Sequence, residues 1–206
     1  MRIGIDAHMI GKREGGNETY ISNLVKSLAR IDDKNQYVIF KTDLKKDELF
    51  CQNKPNFIID SISQNNIYRL GVQFYIKQKN HCLDLMHFTY HMPLIRQCKS
   101  IVTIHDLCFK RHPQFFKLKN RLIFSALGRL SAKRADSIIT VSSSSKRDIK
   151  EFYHIDKKKI WVTYGAVNED FSNLDKNKIS LVRKKYKIDS KFILSIGSFE
   201  PKKNLL

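Results

Sequence analysis

The sequence predicts an α/β fold built on a doubly wound parallel sheet. Short aliphatic or β-branched runs alternate with segments of helical periodicity, the pattern that βαβ units require. The 206 residues leave room for one domain of roughly 150 to 200 residues and little more. Hydrophobic residues at 42% and charged residues at 28%, with 8 Gly and 4 Pro, suit a chain that buries a core and exclude disordered and collagen-like classes.

Arg2–Asp6 reads as the first strand, a short apolar run closed by an acid. Tyr20, Ile21, Leu24, Val25 and Leu28 then recur at three- and four-residue spacing, so Asn17–Arg30 is expected to be an amphipathic helix with one buried face. Further strands are expected at Tyr37–Lys41, Phe57–Asp60, Leu83–Phe88, Ser100–Ile104, Ser137–Val141 and Lys159–Thr163. A weaker helical pattern covers Tyr68–Lys79. Leu122, Ile123, Ala126, Leu127 and Leu130 mark a helix over Lys119–Arg134, expected to pack its apolar stripe on the sheet while Lys119, Arg121, Arg129 and Lys133 stay outside. The hydroxyls of Ser142–Ser145 are placed to cap the next helix. After Thr163 the pattern changes to a polar stretch, a short basic helix over Lys176–Lys187, and a new apolar strand at Lys191–Gly197 followed by a turn. The expected organisation is a sheet domain over 1–172, a linker over 173–190, and the first strand and turn of a second domain over 191–206, where the chain breaks off.

The chain carries a formal charge of +18, from 38 basic and 20 acidic residues. Between Lys110 and Lys159 there are 14 basic against 4 acidic side chains, more than half of the excess in about a quarter of the chain. Such a stretch can face the phosphates of nucleic acid, anionic lipid headgroups or a nucleotide diphosphate, or be a lysine-rich solvated surface. No apolar run approaches the roughly 20 residues that cross a bilayer, and the N-terminus lacks the long apolar segment of a signal peptide. A cytoplasmic location is expected. Cys51, Cys82, Cys98 and Cys108 form no C-x-x-C pair and are expected to be reduced and structural. His105, Cys108 and His112 lie within one short segment, but zinc needs four ligands in paired spacings, so no metal is expected.

Ligands of parallel sheets sit outside the carboxyl ends of the strands, so the loops there are the candidates for chemistry. The loop Ala7–Gly16 carries Gly11, Gly15 and Gly16 just before a helix, where backbone amides and the helix dipole can meet an anion. A simple turn would use glycines there equally well. No G-x-G-x-x-G is present, and Gly11-x4-Gly16 is followed by Asn17 and Glu18 rather than by the Lys and Ser or Thr of a phosphate-binding loop. His105 follows the strand Ser100–Ile104, where an imidazole can bond a sugar hydroxyl, act as a base, or only tie down a loop. His8, His87 and His91 can line the same cleft. The absence of G-x-S-x-G removes a serine hydrolase.

Taken in order, Met1–Asp6, the Gly15-Gly16 loop before a Tyr-bearing helix, Thr103-Ile104-His105-Asp106-Leu107, Asp136–Ser142 with Lys146-Arg147-Asp148, and Ile196-Gly197-Ser198-Phe199-Glu200-Pro201-Lys202-Lys203-Asn204 resemble the retaining GT-B glycosyltransferases of family four. The resemblance runs along the whole chain. It implies a Rossmann-like N-terminal, acceptor-side domain of an enzyme that moves a hexose from a nucleotide sugar to a glycan or lipid-linked acceptor, with no metal cofactor. It further implies that Gly15 and Gly16 approach the donor diphosphate, that His105 contacts the donor sugar near its anomeric centre, and that Lys203 offsets the leaving diphosphate. Asp106 and Ser142 are carried over as substrate-side residues. Ser198 stands where an arginine is frequent in the family, and the family's Glu-x7-Glu pair is absent from these 206 residues. On this reading the fragment alone is inactive, and its surroundings are bacterial envelope polysaccharide assembly at the inner face of the cytoplasmic membrane. The rival reading is a non-catalytic basic module for nucleic acid or another acidic partner, although no nucleic-acid-binding signature accompanies the charge.

Overall fold

The computed structural model describes residues 1–12, 15–42, 54–167 and 175–195. The chain divides into two compact units, Met1–Tyr164 and Gly165–Leu206. Among its described residues the first unit contains seven strands: β1 (Arg2–Asp6), β2 (Gln36–Lys41), β3 (Phe57–Ser61), β4 (Leu85–Thr89), β5 (Lys99–Thr103), β6 (Ser137–Thr140) and β7 (Ile160–Val162). All neighbours pair in parallel, in the order β3-β2-β1-β4-β5-β6-β7. The winding direction therefore reverses between β1 and β4, which opens a crevice at their carboxyl ends.

Side chains alternate across the sheet, so each face has its own core. Ile5, Tyr37 and Ile39 pack with Ile21, Val25 and Ala29 of α1 (Gly16–Ile31) on one face. Val38, Phe40, Met86, Phe88, Val102 and Ile138 belong to the larger cluster on the other. The expected Tyr68–Lys79 helix is a helical stretch made of α2 (Asn66–Tyr68), a π-helical stretch Arg69–Gln73 and α3 (Phe74–Asn80). It seats Phe74 edge-on against Phe40 and Phe88. Each such side chain contributes about 1.5–3 kcal/mol when fully buried. Gly4 is required by closeness: a Cβ there would lie 2.4 Å from Met86 Sδ and 2.6 Å from Leu83 Cδ1.

After β5 come α4 (Cys108–Arg111), α5 (Leu118–Arg134) and, after β6, α6 (Ser143–Tyr153). Here the structure corrects the expectation for α5. Its buried residues are Gly128, Ser131 and Ala132, whereas Leu122 (59%), Ile123 (43%), Leu127 (41%) and Leu130 (38%) are exposed. The physical reason is distance. A Cβ on Gly128 would lie 2.7 Å from the Tyr153 hydroxyl of α6, and Ser131 Oγ accepts a 3.1 Å bond from the Met92 amide. An interface that close admits small side chains and turns the leucines away. Ser142 caps α6 as expected, its Oγ accepting from the Ser145 amide at 3.0 Å.

In the second unit α7 (Lys176–Tyr186) starts with Asp175 accepting from the Asn177 amide and stops at Lys187 in a left-handed conformation. The expected strand at Lys191–Gly197 does not form over its described part: Lys191–Ser195 has no regular secondary structure, and Phe192, Ile193 and Leu194 are exposed. Apolar sequence makes a strand only where a neighbour takes its backbone bonds. Ile196 and Gly197 lie outside the described residues.

Candidate functional site

The crevice at the β1/β4 reversal collects most of the chemistry. β1 ends in Asp6, followed by Ala7 and His8; β4 ends in Thr89, followed by Tyr90 and His91; β5 ends in Thr103, followed by Ile104, His105 and Asp106. Asp6 is buried, and its Oδ1 accepts from the His8 amide at 3.2 Å and meets His8 Nδ1 at 2.7 Å. In a neutral His8 ring that bond places the lone pair on Nε2.

His105 is half-buried, with its Nε2 shielded from solvent and without a hydrogen-bond partner among the described residues. The Tyr20 ring meets it edge-on with centroids 4.7 Å apart, and the Tyr90 ring lies at 5.5 Å. Burial lowers the pKa of His105, partly opposed by the Asp106 charge, so the ring is held towards its neutral form. A neutral ring can donate or accept one hydrogen bond at Nε2 according to its tautomer. His91 repeats this condition. Its Nδ1 is buried without a partner, its ring stacks on Phe124 at 6.1 Å, and burial and the neighbouring His8 lower its pKa.

Tyr90 supplies the turn between these elements. Its φ of 60° lies in the left-handed region that is costly for a side chain of this size. The turn is held by the Tyr90 amide donating to Thr103 O at 2.9 Å and the His91 amide donating to Thr89 O at 2.7 Å. His87 belongs to β4 rather than to the loop. It is buried, which pushes its pKa down to about 4. Its Nε2 lies 2.7 Å from Thr103 Oγ1, which in turn lies 3.2 Å from the Tyr20 hydroxyl. Tyr20 and Thr103 were not picked out as site residues in the sequence. The available signal was the two-residue spacing of Thr103 and His105, which places both on the sheet face that α1 covers.

The other candidates are placed less uniformly. Asp106 and Ser142 share an open groove of about 680 Å³ with Arg111, His112 and Arg147, a groove that His105 does not line. Asp106 Oδ1 accepts from the Cys108 amide at 2.9 Å, and Arg111 is paired with Asp148 and Glu151. Gly15 sits at the head of α1 with φ 67° and, as a glycine, brings no side-chain cap, and the space where a Cβ on Gly15 or Gly16 would project is open among the described residues. The backbone at these two glycines can therefore be approached closely. Lys203 lies outside the described residues. Among the described residues no three His, Cys, Asp or Glu side chains converge as metal ligands, and no helix is long and apolar enough to cross a membrane.

Sheet order and crevice together define a Rossmann-like domain, a class in which ligands bind at the carboxyl edge of the strands. Solved structures share this fold. A crystal structure of Anabaena Alr3699/HepE in complex with UDP-glucose superposes with a TM-score of 0.64 at 14% identity, over 93% of this chain and 51% of that one. A glycosyltransferase from Rickettsia africae superposes with a TM-score of 0.55 at 15% identity, over 92% of this chain and 50% of that one. The architecture is the N-terminal half of a GT-B fold. Residues 14–171 match the model of Glycosyltransferase Family 4, and the chain belongs to that family. Among curated relatives, the O-antigen chain mannosyltransferase RfbU of Salmonella typhimurium is 32% identical over 139 residues, 67% of this chain and 35% of the relative. The serotype-specific mannosyltransferase WbdA of Escherichia coli is 32% identical over 75 residues, 35% of this chain and 9% of the relative. The chain thus spans about a third or less of these curated relatives and about half of the solved structures.

Proposed function

We propose that this chain is the N-terminal, acceptor-side domain of a retaining glycosyltransferase that moves a hexose from a nucleotide sugar to a glycan or lipid-linked acceptor. The carrying observation is His105 Nε2, a buried polar atom at the crevice edge with no partner among the described residues. A sugar hydroxyl that bonded it would satisfy a group now left without a partner. Family membership supports sugar transfer, and the mannosyltransferase names of the relatives support a hexose. The solved complex of HepE with UDP-glucose supports a nucleotide-sugar donor.

On this reading His105 bonds the donor sugar as charge develops at the anomeric carbon, and a neutral ring does so without the desolvation cost of a buried cation. Gly15 and Gly16 at the head of α1 are assigned to the diphosphate, where the helix dipole favours negative charge. Lys203 is assigned the charge that offsets the leaving diphosphate, and Asp106 and Ser142 are assigned to substrate binding. No metal is assigned a role. The domain organisation read from the sequence stands within the same proposal: a Rossmann-like domain over 1–172, a linker over 173–190, and the beginning of a nucleotide-sugar domain over 191–206. Residues 1–206 alone should turn over no nucleotide sugar. The proposed setting is the cytoplasmic side of the membrane.

The decisive variant is His105→Phe in the full-length enzyme. Phenylalanine keeps the ring contacts with Tyr20 and Tyr90 but removes Nε2. Turnover should fall by about 10²–10³-fold, the usual effect of losing one transition-state donor. Folding stability should stay level or rise, because a buried polar atom without a partner is removed. A variant with unchanged turnover would refute the role of His105. Product anomers resolved by NMR test retention, and inversion would refute it.

A further inference from the structure

We propose that the open groove between α4 and the start of α6 binds an uncharged hexose unit of a glycan, with the ring of Tyr164 as its platform. The groove holds about 680 Å³ and lies beside the crevice rather than in it: Asp106 lines it and the adjacent His105 does not. Tyr164 follows β7 at the same carboxyl edge of the sheet. It is 72% exposed, yet it is held in place, because its hydroxyl lies 3.0 Å from Ser143 Oγ. Ser143 opens α6 between Ser142 and Ser144, both of which line the groove. An exposed aromatic ring tied to the edge of a polar groove is a preformed apolar surface with a wet rim.

The charge of the lining selects the ligand. The chain as a whole carries +18, but this groove does not share the excess. Two guanidinium groups, Arg111 and Arg147, stand against three carboxylates, Asp106, Asp148 and Glu151, so its formal charge is −1 with His112 neutral. Arg111 is already engaged by Asp148 and Glu151 and lies 4.9 Å over the Phe152 ring. A phosphate or a nucleic-acid backbone wants donors only and would meet those carboxylates. A sugar hydroxyl both donates and accepts, so it needs donors and acceptors side by side. The groove offers them. The Arg147 guanidinium and the exposed Ser144 hydroxyl have no partner among the described residues, and Asp106 keeps Oδ2 open while Oδ1 accepts from the Cys108 amide.

The polar network is fixed before any ligand arrives. Ser142 Oγ accepts from the Ser145 amide and donates to Ser145 Oγ, both at 3.0 Å, and the pairs of Arg111 tie α4 to α6. A prearranged site loses less freedom on binding. Tyr164 supplies area for the apolar face of a pyranose ring while the groove takes its hydroxyls. Asp106 directly follows His105, so a sugar bound here would neighbour the reacting unit in the same acceptor glycan. That assignment to the acceptor rests on the proposed function, whereas the preference for a neutral sugar rests on the groove alone and fails separately.

Amide NMR titration of the purified protein with the neutral trisaccharides mannotriose, maltotriose and galactotriose, and with inorganic phosphate, tests the proposal. At least one trisaccharide should give saturable shifts over residues 142–151 and at Tyr164, and phosphate should give none there. Tyr164→Ala should weaken that binding about threefold to tenfold, the worth of one aromatic contact, and Arg147→Ala about tenfold, that of one hydrogen bond to a charged group. Both side chains are exposed, so the thermal melt should not move. Tyr164→Phe keeps the ring and should retain most of the affinity. Absence of saturable shifts with every trisaccharide, an equal response to phosphate, or full affinity in Tyr164→Ala overturns the proposal. So do shifts confined to the residues around His105, which would place the sugar in the crevice and leave this groove without a ligand. The titration requires no turnover, so failure of this site and failure of the role of His105 are told apart.

Discussion

Gly128 and Tyr153 allow the seating of α5 to be tested by a pair of substitutions whose effects have opposite signs. In Gly128→Ala the new methyl would lie 2.7 Å from the Tyr153 hydroxyl, but 3.5 Å and 3.8 Å from the ring carbons Cζ and Cε2. Only the hydroxyl is too close. Tyr153 is fully buried, so its ring has no free space to retreat into. Overpacking of this kind costs about 1–3 kcal/mol, while alanine in place of glycine in a helix returns about 1 kcal/mol. The single variant should lose up to about 2 kcal/mol. Tyr153→Phe removes a hydroxyl that is buried without a hydrogen-bond partner among the described residues and whose pKa burial raises. That substitution should be neutral or stabilising by about 1 kcal/mol. Combined, the two remove the clash and keep the helix gain, so the double variant should be at least as stable as the parent. Urea unfolding of all four proteins measures the coupling, expected at about 1–3 kcal/mol. Strict additivity would show that α5 and α6 do not approach each other as described.

Three further outcomes follow from the same geometry. Burial holds the folded-state pKa of His87 at about 4 against 6.5 for an unperturbed histidine, so the unfolded chain takes up its proton first as pH falls. The contribution is intact above pH about 6.5 and lost progressively towards pH about 4, on the order of 3 kcal/mol in all. Urea midpoints across that range should fall more steeply for the parent than for His87→Gln, and parallel profiles would contradict the assignment. Gly4→Ala should destabilise by about 1–3 kcal/mol, because Met86 and Leu83 occupy the space of the new methyl; an unchanged melting temperature would disprove that packing. Tyr20→Phe removes the bond to Thr103 Oγ1 and should cost about 1 kcal/mol in urea unfolding. A larger loss of turnover in the full-length enzyme would show that the Tyr20–Thr103–His87 chain also positions His105.

The parallel sheet was legible in the sequence because buried strands leave a local mark. Runs such as Ile138–Ile139 and Val38–Phe40 are apolar on both faces, and both faces are indeed covered or partly covered. The amphipathic α1 was legible for a similar reason: Ile21, Val25 and Ala29 bury one stripe, and spacing alone marks it. The position of His105 at a strand end could be read from spacing as well. Its ring contact with Tyr20 could not, because Tyr20 lies on α1, far from His105 in sequence, and the two meet only through the β1/β4 reversal. The direction α5 faces was equally a tertiary decision. Its leucine periodicity is genuine, but periodicity specifies a stripe and not which neighbour the stripe meets. A glycine, a serine and an alanine that approach Tyr153 and the Met92 amide closely outweighed the stripe, and only the folded chain brings those groups together.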